Sequence, residues 1–306
     1  MKKLLAFSFL VAMPLGSMAQ RQVLDKQQLL QDVKVLAADS LEGRLSGSEG
    51  SRKAQDYIQQ RFREIGLKPF NREYKQQFSF EARQKVVDSA INLVGYIPGK
   101  TDKAIVITAH YDHVGVRKGE VYNGADDNAS GVGALLAAAS YFKKHQPQHT
   151  LIFAALDGEE LGLQGAKALV ENPPVPKQNI LLNVNMDMLS INDKGELYAS
   201  GSYHYPQLKN ILEQVKPRPQ AKLLLGHDRP EQGHDDWTGQ SDHYQFHKQG
   251  IPYVYFGVED HPHYHKPSDE FKNVNKAFYP DATALVIDFL ELADENLDDA
   301  GLPTWQ

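Results

Sequence analysis

Ala104-Ile105-Val106-Ile107-Thr108-Ala109 runs without a charge and is followed at once by His110-Tyr111-Asp112-His113. A continuous apolar run, rather than an alternating one, marks a strand covered on both faces. The same order recurs along the chain. Thr150 to Leu156 leads into Asp157-Gly158-Glu159-Glu160, and Ile180 to Val184 leads into Asn185-Met186-Asp187. Tyr253 to Val258 leads to His261-Pro262-His263-Tyr264-His265. After the first run comes Gly124-Ala125-Asp126-Asp127-Asn128-Ala129-Ser130-Gly131.

Helical spacing fills the gaps between these runs. Gly131 to Phe142 reads as a helix of small residues. Leu163 to Val170, the stretch around Leu208 to Val215, Gln240 to Lys248 and a closing Asn275 to Leu292 also read as helices. Further strands are predicted at Ile91 to Ile97, Leu197 to Ser200 and Leu223 to Leu225. Upstream, residues 26–66 are helical apart from a break at Asp39 to Ser48, with the second helix starting near Ser51 and Gly66 as its stop. Alternating strands and helices predict an α/β three-layer sandwich around a mixed, mostly parallel central sheet, as one domain over residues 20–306. In such sheets ligands bind beyond the carboxyl ends of the strands, which is where the His, Asp and Glu residues fall.

Composition removes whole classes of chemistry. The chain has 306 residues and no cysteine, so disulfides, thiolate catalysis and Cys-based metal sites are excluded. The net charge is −6 and no long basic run occurs, which gives nucleic-acid binding little electrostatic support. Lys2 and Lys3, the apolar Leu4 to Leu15 and the small-x-small Ser17-Met18-Ala19 predict a signal peptide over residues 1–19, cleaved near Ala19. The apolar run is short for a membrane anchor. An exported protein, periplasmic or secreted, is therefore predicted, with no stable membrane anchor.

A lone strand-end Asp is usually a helix cap. A succession of them, joined by His and Glu, is not explained by capping. Massed carboxylates raise one another's pKa, and a pair of divalent cations is the simplest way to neutralise them. His and carboxylate donors without Cys suit catalytic zinc with open positions for water. Two metals ~3.5–4 Å apart need a bridging carboxylate and a shared water or hydroxide as nucleophile. Gly124 and Ala125 leave room for a bridge beside them. Adjacent Glu159 and Glu160 suit a split of duty, one on metal and its neighbour on the proton. Asp112, two residues after His110, is placed to accept that histidine's free ring N–H.

These motifs together are identified as those of the co-catalytic di-zinc exopeptidases of the bacterial leucyl aminopeptidase type, peptidase family M28. That group also includes glutaminyl cyclases and the transferrin-receptor ectodomain. The chain resembles it from Leu36-Ala37-Ala38-Asp39-Ser40-Leu41-Glu42-Gly43-Arg44 to about Asn275. The resemblance implies the zinc-exopeptidase fold and two zinc ions per chain. It implies Asp126 as the bridging carboxylate, His110 and Asp187 on one zinc, and Glu160 and His265 on the other. Glu159 resembles the general base, Asp112 the aspartate behind the His110 ligand, and Asp127 the residue following the bridge across a cis peptide. Tyr264 stands where aminopeptidases of this type have a tyrosine that polarises the scissile carbonyl.

His265 is singled out from His261 and His263 because only it precedes Lys266-Pro267-Ser268-Asp269 at the family's spacing. His261 and His263 are read as polar residues at the site mouth, and His113, His243 and His247 as non-ligands. Ser241 and Asp242 are read as caps of the helix that follows. The implied activity is hydrolysis of the first peptide bond of a peptide or aminoacyl substrate. Two rivals share these features. One is a glutaminyl-peptide cyclotransferase using a single zinc. The other is a non-catalytic binding module of the same fold.

Overall fold

The computed structural model describes residues 24–70, 72–82 and 85–302; the predicted signal peptide lies outside them. The chain opens with helices α1 (Lys26–Leu36) and α2 (Glu49–Ile65), then strands β1 (Lys68–Pro69), β2 (Lys75–Ala82), β3 (Lys85–Ile97), β4 (Ala104–His110), β5 (Gly115–Arg117) and β6 (Glu120–Tyr122). There follow α3 (Gly131–Phe142), β7 (Thr150–Leu156), α4 (Gln164–Glu171), β8 (Ile180–Met186), β9 (Glu196–Ser200), α5 (Lys209–Leu212), β10 (Lys222–Leu225), α6 (His243–Lys248), β11 (Tyr253–Gly257) and α7 (Phe278–Asn296).

Local chemistry sets these boundaries. Asp25 caps α1 by accepting the Gln28 N–H at 2.9 Å. Ser48 caps α2 in the same way, so that helix begins at Glu49, ahead of the predicted Ser51. Gly66 ends α2, as predicted, and it does so in the left-handed conformation. α6 begins at His243, three residues later than predicted, and a separate 3₁₀ turn over residues 237–239 precedes it.

The main sheet runs β1–β3–β7–β4–β8–β11–β9–β10, with β2 also paired to β3. The four central strands β7, β4, β8 and β11 are mutually parallel, so their carboxyl ends share one edge. β3 and β9 flank them in antiparallel register, which makes the sheet mixed. Alternate residues of the central strands feed two cores. Ile105, Ile107, Leu151, Phe153, Leu182 and Val184 face the larger core with α1, α2, α3 and α7. Val106, Ile152, Ala154 and Leu156 face the smaller one, with Leu169 of α4 and Phe246 of α6. Helices thus cover both faces, and the continuous apolar runs follow from that double burial. Among the described residues no helix is long and apolar enough to cross a membrane.

At the amino end of β7, remote from the strand-end acids, buried His149 joins the sheet to α7. Asp294 accepts the backbone N–H groups of Gln148 and His149, and its Oδ1 lies 3.1 Å from His149 Nδ1. Asp298 lies 3.2 Å from Nε2. The bond to Asp294 leads in raising the His149 pKa, burial opposes it, and Asp298 adds to the rise. A raised folded-state pKa means the stabilisation is complete below the unfolded histidine pKa of about 6.5 and fades as pH climbs through the folded value. Thermal melts should therefore show His149→Gln lowering Tm more at pH 5.5 than at pH 9. An equal loss at both pH values would mean the contact acts through packing alone.

Candidate active site

Each parallel strand hands one or two polar side chains to the shared edge. His110 is the last residue of β4 and is buried. Its Nδ1 lies 3.1 Å from the Asp112 carbonyl, an arrangement that directs Nε2 toward the acids. That Nε2 lies 3.3 Å from Asp187 Oδ1, 3.4 Å from Asp127 Oδ1 and 4.0 Å from Glu159 Oε2. Asp187 follows β8, and its other oxygen accepts the Ser241 hydroxyl at 2.7 Å. His110, Glu159 and Asp187 form one group able to hold a metal ion.

A second such group lies beside it, formed by His113, Asp127 and Glu160. His113 Nδ1 is 2.7 Å from Glu160 Oε1, and His265 Nε2 lies 3.1 Å from Asp127 Oδ2 and 3.4 Å from Glu160 Oε1. Asp127 therefore sends Oδ1 toward His110 of the first group and Oδ2 toward His265, which lies against the second.

This geometry corrects the expectation for the adjacent acid. Asp126 does not face the two groups. Its Oδ1 accepts from the Ser190 N–H and hydroxyl and the Ser130 hydroxyl, and its Oδ2 from the Ile191 N–H, with His261 Nε2 at 3.0 Å. Those contacts use its lone pairs and turn it away. The cis peptide expected between Asp126 and Asp127 lies one bond later, between Asp127 and Asn128. Asp269 fixes this stretch by accepting the N–H groups of both Asp126 and Asp127.

Asp112 also differs in detail from its expected contact. Its carboxylate accepts the backbone N–H groups of Glu159 and Glu160, at 3.1 and 3.3 Å, while Oδ1 lies 3.6 Å from His110 Nδ1. One buried acid thus sets both glutamates relative to β4. Ser241 bonds to Asp187 and Asn185 rather than capping α6. Asp242 does not cap it either; its carboxylate is fully buried, and burial pushes its pKa up to about 8. His261 contacts Asp126, and His263 contacts Ser268, so neither enters the two groups. Tyr264 stacks on His265 with ring centroids 4.1 Å apart. Burial, then the charges of Asp127 and Asp187, raise its phenol pKa, so the ring lies in the field of the acids.

Arg44 carries no signal in its spacing, yet it braces the site. Glu42, Gly43 and Arg44 lie in the left-handed region, and a Cβ on Gly43 would sit 2.3 Å from the Tyr122 carbonyl. The fully buried guanidinium donates to the carbonyls of Leu36, Tyr111, Asn123 and Gly124. Burial lowers its pKa to about 10, while Asp127, Asp269 and Asp112 act to hold it charged.

Burial is the leading cause that raises the Glu159 pKa well above the carboxylate range; His110 opposes it, and Asp187, Asp242 and Glu160 reinforce it. Glu160 is half-buried; desolvation pushes its pKa up, but the imidazoles of His113 and His265 outweigh this and hold it below the usual value. Beyond Asp187 the wall is aromatic. Trp237 stacks on His227 at 3.7 Å and meets Tyr255 edge-on, and the Tyr255 hydroxyl donates to the Asp187 carbonyl.

The model of peptidase family M28 matches residues 92–290, which carry every one of these acids and histidines. The chain belongs to that family. Among similar proteins, a probable leucine aminopeptidase of Arthroderma otae is 29% identical over 215 residues, covering 66% of this chain and 57% of that one. The chain spans a little over half the length of two of the curated relatives it matches, 51% of one and 57% of the other. Two solved structures share the fold. A zinc aminopeptidase from Bacillus subtilis superposes with TM-score 0.68 at 16% identity, over 87% of this chain and 94% of that one. A glutaminyl cyclase from Bacteroides thetaiotaomicron, bound to N-acetylhistamine, gives TM-score 0.71 at 17% identity, over 88% and 98%.

Proposed function

We propose that the protein is an exported aminopeptidase working with two zinc ions. The observation that carries this reading is the position of Asp127, whose two oxygens face two separate His–carboxylate groups. The donor set fits zinc, because it consists of imidazoles and carboxylates with no cysteine in the chain. Buried His113 and Glu160 Oε1 also lack hydrogen-bond partners, as expected of atoms that await a cation. His110, Asp127 and Asp187 would hold one ion. Asp127, Glu160 and His265 would hold the other. When bound, the ions supply Lewis acidity toward water and toward the scissile carbonyl.

The side chains then divide the work. Glu159 faces the first group, and its raised pKa suits a base that takes a proton from the attacking water and returns it to the leaving amine. Asp112 holds Glu159 in place through its backbone N–H. The Tyr264 hydroxyl donates to the developing oxyanion. Its benefit arises mainly in the transition state, so Tyr264→Phe should lower kcat about 10–100-fold with little change in KM. A matching rise in KM with kcat intact would place the ring in substrate binding instead. The acids around the site favour a free substrate amine, and the Lys2–Ala19 stretch supports export.

The cyclase is the second reading, since a glutaminyl cyclase shares the fold. Incubation with Leu- and Gln-terminated peptides, followed by mass spectrometry, separates the two. Release of free leucine is expected. Loss of ammonia from the Gln peptide, with no amino acid released from either, would make the protein a cyclase.

A further inference from the structure

We infer that His113 is a fourth protein ligand at the Asp127–Glu160–His265 position, which gives that position one more protein donor than the His110–Asp127–Asp187 position. The inference rests on the two-ion reading above and adds a residue to it.

His113 is fully buried, and neither ring nitrogen has a hydrogen-bond partner. Its Nδ1 is nevertheless 2.7 Å from Glu160 Oε1, an atom that is itself buried and without a hydrogen bond. Two polar atoms this close, yet misaligned for a bond to each other, are satisfied together if both lone pairs converge on a cation. Left bare, each would carry a desolvation cost.

The spacing agrees. Zinc–nitrogen and zinc–oxygen bonds of ~2.0–2.1 Å in a tetrahedron put neighbouring donors about 3.3–3.4 Å apart. His113 Nδ1 lies 2.7 Å from Glu160 Oε1 and 3.7 Å from Asp127 Oδ2, and His265 Nε2 lies 3.4 Å from Glu160 Oε1 and 3.1 Å from Asp127 Oδ2. Two imidazoles therefore address one pair of acids, with ring centroids 5.9 Å apart. The backbone makes room for this ring. A Cβ on Gly124 would sit 2.6 Å from both Cγ and Cδ2 of His113.

The two positions then behave differently. Four protein donors hold an ion more tightly than three, so the ion at the three-donor position exchanges first. Dialysis of the zinc-loaded enzyme against increasing chelator should remove one ion first and leave the other. Metal analysis of His113→Gln should find the retained ion bound at least ~100-fold more weakly, so that both ions leave together. Retention equal to wild type in the variant would overturn the inference. If the variant does not fold, a crystal structure of the zinc-loaded wild type decides. Nδ1 of His113 is expected about 2.1 Å from an ion, and a separation beyond about 3 Å overturns the inference while leaving two ions in place. A wild-type enzyme that never binds two ions would sink the two-ion reading, and this inference with it.

Discussion

Asp127→Asn should strip the enzyme of zinc, while the same change one residue earlier should not. An amide at position 127 cannot offer a negative oxygen to each of two ions, so metal analysis should find fewer than two ions per chain. Turnover should fall well beyond the ~10–100-fold typical of losing a residue that only supports a ligand. Asp126→Asn removes the charge that accepts from Ser190, Ile191 and Ser130. It should cost about 1–3 kcal/mol of stability in a denaturant melt and keep the metal content. The opposite pattern, with metal lost at 126 and kept at 127, would reverse the roles assigned to the two acids.

Glu159→Gln should separate chemistry from metal binding. The variant is expected to keep both ions and lose about 10²–10⁴-fold in kcat, the usual contribution of a general acid–base group. Its neighbour serves as the control, because Glu160→Gln should reduce metal content. If the Glu159 variant falls to one ion per chain, or turns over near the wild-type rate, the division of labour between the glutamates is wrong.

The parallel core was readable in the sequence because burial on both faces leaves unbroken apolar runs, as at Ala104–Ala109 and Thr150–Leu156. The hairpin of β2 with β3 was not. β2 alternates between exposed and half-buried positions and has no fully buried residue to give it away. Motif order marked residues that the fold gathers at one sheet edge, but not which of two adjacent acids turns inward. That choice is made by Ser190 and Ile191, more than sixty residues downstream, whose N–H groups capture Asp126. His113 was passed over for a similar reason. Three residues beyond His110 it carries no ligand spacing of its own, and only the fold brings Glu160 within 2.7 Å of it.

Arg44 sets a lower limit on how much of this chain can be made to work alone. The stretch from Asn92 to Leu290 holds all the acids and histidines of the site, and a gene trimmed to it would look complete. It would lack the guanidinium that ties the carbonyls of Tyr111, Asn123 and Gly124 to that of Leu36. Those carbonyls flank His110 and His113 on one side and Asp126 and Asp127 on the other. Expression boundaries should therefore be drawn upstream of α1, because a fragment starting at β3 would keep the ligands and lose the cross-brace that sets their spacing.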